Sequence, residues 1–379
     1  MTIPRLRVGL VGLGAMGRHH ARTLAAIEGV AFVGVADPHA DTAALAGVGG
    51  ISVHESVSEL LERRLDYCVV AVPTSLHYSV AMEVAAAGVH MLVEKPVAAS
   101  SVEALRMADE FDRRGLIGAV GHIERFNPAL QQLRRRLDAG ELGMVFQVAT
   151  RRQGPFPLRV ADVGVVIDLA THDIDITRYL TNREYATVSA QLAHLSGRSY
   201  EDMLAATCRL EGGIVVNHLV NWICPIKERV TSVIGERGMY TASTLNGDLT
   251  FAANGTAVTE WDGLAHFRGV SEGDVVSFAY PKREPLRLEH EEFVRVLSES
   301  GGEFVSLREG ARTLAVGERL LEALELHGAE RVLDVGTGSG YQTAVLSEYH
   351  ITKALFGYRE ETSWPEVDSK TILVSPEDE

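Results

Sequence analysis

The sequence predicts an α/β protein. Its N-terminal part is a parallel sheet with helices on both faces, and its C-terminal part is an α/β domain on an open, mainly antiparallel sheet. Two observations carry this. Up to about residue 121, short runs that are apolar nearly throughout alternate with helical stretches, as expected of strands covered on both faces. From residue 186 onward, apolar residues recur at every second position instead, the period of strands with one buried face. A chain of 379 residues also exceeds one ordinary compact core, so two domains are expected.

Taken in order, residues 6–11 are apolar apart from Arg7 and form the first strand. Residues 15–27 follow as a helix. Strands over 31–36, 66–72, 89–94 and 117–121 then alternate with helices over 57–63, 75–87 and 102–114, and Pro73 and Gly88 punctuate the links. Residues 128–139 read as a helix with Asn127 as its N-cap and Pro128 at its first position. Next come a strand over 144–150, a loop rich in Arg, Gly and Pro over 151–159, and a helix over 167–180. Alternating runs around Val188, Leu204 and Val216 are antiparallel strands, and Glu211-Gly212-Gly213 is a tight-turn signal between two of them. Helices over 289–298 and 307–326 close the domain. The expected division is 1–121, 122–328 and a separate segment, 329–379.

Composition narrows the function classes. Apolar residues make up 46% and charged residues 23%, which fits a globular protein. A net charge of −15 disfavours nucleic acid and anionic membranes as partners. No apolar run reaches the roughly 18 residues of a membrane helix, and residues 8–16 are too short and glycine-punctuated for a signal peptide. The three cysteines, Cys68, Cys208 and Cys224, have no metal or disulfide spacing. No metal is therefore expected, and a reducing cytoplasm is the expected compartment.

Three sites carry chemistry. The first strand runs into Gly12-Leu13-Gly14-Ala15-Met16-Gly17 and then a helix. Gly12 permits the turn, Gly14 admits a pyrophosphate, and Gly17 lets the helix pack on the strand. The amides at the helix start, including those of Ala15 and Met16, face the phosphates. Asp37 ends the second strand 20 residues past Gly17, where a carboxylate accepts both ribose hydroxyls and repels a 2′-phosphate. This is a Rossmann dinucleotide site, with NAD favoured over NADP.

The second site is Glu94-Lys95-Pro96, beyond a strand's carboxyl end where the nicotinamide of a dinucleotide lies. Pro73, Thr74 and His77 line the same side, although a lone His77 is more often a locally packed helix-start residue. The third is Asp168 and His172, four apart on a helix and so roughly 6 Å apart along one face. A carboxylate beside an imidazole suits proton abstraction from an alcohol, and a solvated acidic face with Asp173 and Asp175 is the competing reading.

Together these motifs resemble the glucose–fructose oxidoreductase/inositol dehydrogenase (Gfo/Idh/MocA) family over residues 5–328. The resemblance implies a Rossmann domain and a substrate domain that often makes oligomer contacts, hence a homodimer or homotetramer. It implies hydride transfer between a nicotinamide cofactor and a ring hydroxyl of a sugar or cyclitol, with Lys95, Asp168 and His172 as the catalytic set. The segments 121–129, 152–157 and 165–173 look like one branch, the UDP-N-acetylglucosamine 3-dehydrogenase group. That likeness assigns substrate contacts to Arg125 and Asn127. Arg151, Arg152 and Arg159 supply local positive charge for a substrate pyrophosphate, or else form an exposed loop that balances surface acid.

Past residue 328 the resemblance stops. Residues 330–344 look like the first strand and glycine loop of S-adenosylmethionine methyltransferases of the isoaspartyl class. Only 39 residues follow Gly340, too few to complete that sheet, so the segment reads as a fragment or tail. The leading expectation is an NAD-dependent dehydrogenase of a nucleotide-activated hexose. A cyclitol or free-sugar dehydrogenase of the same family and a catalytically silent NAD-binding regulator are the alternatives. Either Lys95 or His172 is the base.

Overall fold

The computed structural model describes residues 5–40, 51–157, 163–255, 272–298, 302–322, 330–331 and 346–347. Two compact units divide the chain. The first comprises residues 1–128 and 281–315, the second residues 129–280 and 316–379. The chain therefore returns to the first unit after leaving it, a feature that the division 1–121/122–328 does not contain.

The first unit is a six-stranded parallel sheet. Its strands are β1 (Leu6–Val11), β2 (Val30–Ala36), β3 (Ser52–His54), β4 (Tyr67–Val70), β5 (His90–Glu94) and β6 (Gly118–Gly121), in the order β3-β2-β1-β4-β5-β6. The reversal of order at β1 and β4 is the doubly wound switch point, where ligands sit beyond strand ends. Helices α1 (Ala15–Ala26), α2 (Val57–Leu61), α3 (His77–Ala86) and α4 (Ser101–Arg113) are the crossovers. Ser56 and Ser100 cap α2 and α4, each accepting the amide of the third residue on. The central strands are buried on both faces: Val8, Leu10, Tyr67, Cys68, Val69, Met91 and Val93 are fully inaccessible. Of the six strands only β3, too short for a pattern, was not anticipated. Helix α7 (Pro285–Ser298), expected in the second domain, packs in this unit, with Phe293 edge-on to Tyr67 at 5.4 Å.

The second unit carries an eight-stranded sheet ordered β14-β13-β12-β11-β7-β10-β9-β8. In chain order its strands are β7 (Val145–Pro155), β8 (Tyr185–Ala193), β9 (Met203–Leu210), β10 (Val215–Asn221), β11 (Ile223–Gly235), β12 (Gly238–Ser243), β13 (Asp248–Asn254) and β14 (Glu272–Ser277). All pairs are antiparallel except β7 with β10. Helices α5 (Pro128–Asp138) and α6 (Thr171–Thr181) supply Leu130, Leu133, Ile174 and Ile176 to a core shared with Val148, Leu204, Val216 and Val233 of the sheet. The last helix, α8 (Leu307–Glu322), begins in the first unit and ends in the second.

One expectation needs correction. Residues 151–155 are not loop but the end of β7, because they are central in the sheet: Arg151 and Arg152 pair with Leu219 and Val220 on one side and with Val230 and Arg229 on the other. Backbone pairing with two neighbours outweighed the local Gly and Pro content. Among the described residues no helix is long and apolar enough to cross a membrane. Cys68 and Cys208 are buried, and burial pushes both thiols up to about 12, which makes them inert packing residues. The fragment over 329–379 lies outside the described residues, apart from the paired dipeptides Glu330–Arg331 and Leu346–Ser347.

Candidate functional site

The glycine loop leaves β1 at Val11. Gly12 has a φ of +93°, and a Cβ on it would lie 2.5 Å from the Ala71 carbonyl oxygen. A Cβ on Gly17 would collide with the Gly12 carbonyl. Gly14 is different: a Cβ there meets nothing within 4 Å. The loop is thus closed behind and open in front. Helix α1 starts at Ala15 with no side-chain cap and no acidic residue in its first turn, which leaves its leading amides for an anion. Asp37 follows β2, and its Oδ2 accepts the Leu13 amide at 2.7 Å while Oδ1 accepts the His39 amide at 2.8 Å. These bonds aim the carboxylate at the loop and leave lone pairs for ribose hydroxyls. The open Gly14, the uncapped helix start and the anchored Asp37 fit a dinucleotide.

Pro73 and Thr74 open a 3₁₀ turn after β4 that runs into α3. His77 is 1% exposed, with Nδ1 2.8 Å from the Pro96 carbonyl and Nε2 3.0 Å from that of Val72. It braces two loops from inside, as a locally packed residue does. Burial lowers its pKa against the pull of those carbonyls. Glu94, expected beside the cofactor, turns inward: its Oε1 meets His20 Nε2 at 2.8 Å and its Oε2 accepts the Lys95 amide at 3.1 Å. Lys95 itself is half-buried at the end of β5, joined to Pro96 by a cis peptide.

In the second unit Asp168 lies in a π-helical turn, Val166–Ala170, that runs into α6 carrying His172. Such turns cluster at functional sites. Glu201 anchors this one by accepting the Val166 amide at 3.0 Å, and its carboxyl occupies the space where a Cβ on Gly164 would be. Asp168 is 7% exposed and His172 half-buried. Asp173, next in sequence, binds the Arg152 Nε at 3.0 Å, both side chains being buried.

The arginine cluster is therefore not one feature. Arg151 and Arg152 point to opposite faces of β7. Arg152 is spent on Asp173, whereas Arg151 is exposed and pairs with Glu228 at 2.9 Å. Arg159 lies outside the described residues. In the first unit Arg125 pairs with Glu309 at 3.0 Å, and Asn127 is buried.

Two polar clusters escaped the sequence reading. In the second unit His218 bridges the Thr150 and Tyr185 hydroxyls at 2.7 Å each, and burial followed by the Arg152 charge pushes its pKa down to about 3. The other joins His20, Glu94 and His290. Only Glu94 among these was singled out from the sequence; His20 and His290 sit among other polar residues, and His218 interrupts an apolar alternation.

Comparison with known proteins supplies the context for these arrangements. A model described as an oxidoreductase family with an NAD-binding Rossmann fold matches residues 6–122, and the GFO/IDH/MocA C-terminal domain matches residues 130–241. A protein-L-isoaspartate O-methyltransferase model matches residues 303–356, whose described part is chiefly α8. The chain is 32% identical to a UDP-N-acetylglucosamine 3-dehydrogenase of Acidithiobacillus ferrooxidans over 84% of its own length and 97% of the relative's. The solved structure of a UDP-N-acetylglucosamine 3-dehydrogenase from that organism superposes with a TM-score of 0.74, at 29% identity, covering 83% of this chain and 96% of the other. A scyllo-inositol 2-dehydrogenase (NAD(+)) of Bacillus subtilis is 34% identical over 49% of this chain and 56% of its own. Matching family domains and a relative aligned nearly end to end show that this chain belongs to the Gfo/Idh/MocA family of NAD-dependent oxidoreductases.

Proposed function

We propose that the protein oxidises a ring secondary hydroxyl of a nucleotide-activated hexose, the 3-hydroxyl of UDP-N-acetylglucosamine or a close analogue. The observation that carries this reading is the likeness to the Acidithiobacillus enzyme over 97% of that enzyme's length, which includes its substrate domain. The inositol dehydrogenase likeness spans about half of each chain and favours a cyclitol as the second reading. A silent regulator is disfavoured because Lys95, Asp168 and His172 are all present.

NAD, when bound, supplies the hydride acceptor. The chain's own residues hold the dinucleotide through Gly12, Gly14, Ala15, Met16, Gly17 and Asp37 and manage the proton. His172 takes the proton of the substrate hydroxyl, and Asp168 orients the imidazole and offsets the charge it gains. In the first unit Lys95 offers an ammonium, the kind of group that lowers the cost of a developing alkoxide. Arg151 and Arg159 are the proposed source of positive charge for a substrate pyrophosphate. A homo-oligomer in the cytoplasm completes the reading.

The test is NADH formation, read by absorbance, across UDP-hexoses, dTDP-hexoses, free sugars and inositols. Turnover with inositols and none with nucleotide sugars would move the assignment to the cyclitol reading. A cofactor test accompanies it. Asp37→Ser is expected to narrow the preference for NAD over NADP by at least about tenfold, since two like charges about 4 Å apart repel by ~1–4 kcal/mol between bulk water and a protein surface. Equal affinity of the unaltered protein for both cofactors in a fluorescence titration counts against Asp37 as the discriminator.

A further inference from the structure

The first unit buries a group of polar side chains bonded to Glu94, the residue before Lys95. His20 on α1 is 1% exposed, and Glu289 and His290 on α7 are 3% and 0% exposed. His20 Nε2 lies 2.8 Å from Glu94 Oε1, and its Nδ1 lies 2.8 Å from His290 Nε2, with the two rings edge to face at 5.0 Å. The second Glu94 oxygen holds the Lys95 amide. One chain of bonds thus joins the helix that opens at the glycine loop, the strand end that carries Lys95, and α7. Burying such groups costs free energy unless each is partnered.

The two carboxyls are set apart. Burial and the charge of Glu94 raise the Glu289 acid well above the ordinary range, and neither of its oxygens has a hydrogen-bond partner. Burial pushes Glu94 the same way. The His20 hydrogen bond, the field of His20 and that of Lys95 outweigh it, and Glu94 ends below the ordinary carboxylate range. His290 is driven well down by burial and stays a neutral imidazole. The groups that face Glu94 are His20 from α1, Glu289 and His290 from α7, His77 from α3 and its own neighbour Lys95. From β6, a Cβ built on Gly121 would lie 3.4 Å from the Glu94 carboxyl carbon.

We propose that His20 is a positioning residue for Lys95: its Nε2 bond fixes the Glu94 carboxylate, whose other oxygen holds the Lys95 amide, and so ties the lysine corner to the helix that starts at the cofactor loop. The proposal rests on Lys95 acting in catalysis. It goes beyond that reading by making an unsuspected histidine responsible for where Lys95 sits and for the charge behind it. With the His20 donor gone, the largest force opposing burial is lost and Glu94 holds its proton to higher pH. The anion beside Lys95 is then lost over a wider acid range.

Two substitutions separate this role from packing. Gln at position 20 carries an amide nitrogen near the place of Nε2 and keeps a donor for Glu94. Asn carries one near Nδ1, keeps the contact with His290 and cannot reach Glu94. His20→Asn is expected to lower kcat about tenfold, as a modest displacement of a catalytic group does, with KM for NAD within a few-fold and the acid limb of kcat at higher pH. His20→Gln is expected to restore both. A readout that needs no substrate goes with this: in ¹³C-dimethyl-lysine NMR spectra, the step in the Lys95 resonance that reports Glu94 ionisation lies at higher pH in His20→Asn than in the unaltered protein or His20→Gln. The same step position in all three proteins overturns the proposal, as does equal activity of the Asn and Gln variants. If the NMR step moves while no sugar or cyclitol is oxidised by the unaltered protein, His20 keeps its role and the substrate reading falls instead.

Discussion

Replacing His172 by alanine is expected to lower kcat by about 10²–10⁴-fold, the contribution of a positioned general base, while NAD binding changes little. A sugar hydroxyl is far too weak an acid to release its proton to water at neutral pH, so the loss falls on the chemical step. The fold is expected to survive. His172 is only half-buried, and α6 is also held by the buried Arg152–Asp173 pair and by the Thr171 hydroxyl on the Ile167 carbonyl at 2.9 Å. Lys95→Ala is expected to show the same pattern, because Lys95 follows β5 and is not part of the glycine loop. Steady-state kinetics with a nucleotide sugar, alongside NAD titration, read both variants. A loss below about tenfold for His172→Ala is too small for a general base and passes that role to Lys95. Full activity in both variants leaves the silent NAD-binding regulator as the better account.

The second large effect separates two glycines three residues apart. Gly14→Ala is expected to fold as stably as the parent, within about 0.5 kcal/mol. Its backbone, at φ −67° and ψ −159°, is open to any L-residue, and the added methyl meets nothing. That methyl nonetheless occupies the space through which, in the proposed function, the pyrophosphate reaches the loop amides, so NAD affinity is expected to fall about 100-fold, or roughly 2.7 kcal/mol. Gly17→Ala adds its methyl against the Gly12 carbonyl and forces backbone apart, so here stability falls too, by about 1–3 kcal/mol. Thermal unfolding and isothermal titration of the pair check the contrast. Undiminished NAD binding in Gly14→Ala places the pyrophosphate elsewhere.

Much of this was legible from the chain alone. Strands buried on both faces read as unbroken apolar runs, and the glycine loop between a strand and a helix announced itself by spacing, as did Asp37. The motifs Glu94-Lys95-Pro96 and Asp168-x-x-x-His172 were visible for the same reason: their residues are close in sequence. Side-chain direction was the weaker part. Arg151 and Arg152 looked like one basic cluster until β7 extended through them and sent them to opposite faces. Glu94 looked like a cofactor contact, yet its carboxylate turns onto His20.

The sequence by itself determined the class of both domains, the dinucleotide loop and the identities of the proposed catalytic groups, because each rests on periodicity or on contacts within a few residues. Only the tertiary structure decided that α7 belongs with the first unit and that His20, Glu94 and His290 form one bonded chain. It also decided that Arg152 neutralises Asp173 rather than facing out. Those outcomes join residues as far apart as positions 20 and 290. Burial makes an unpaired charge or donor costly, so the folded core selects their partners, and no local pattern records which distant residue will be chosen.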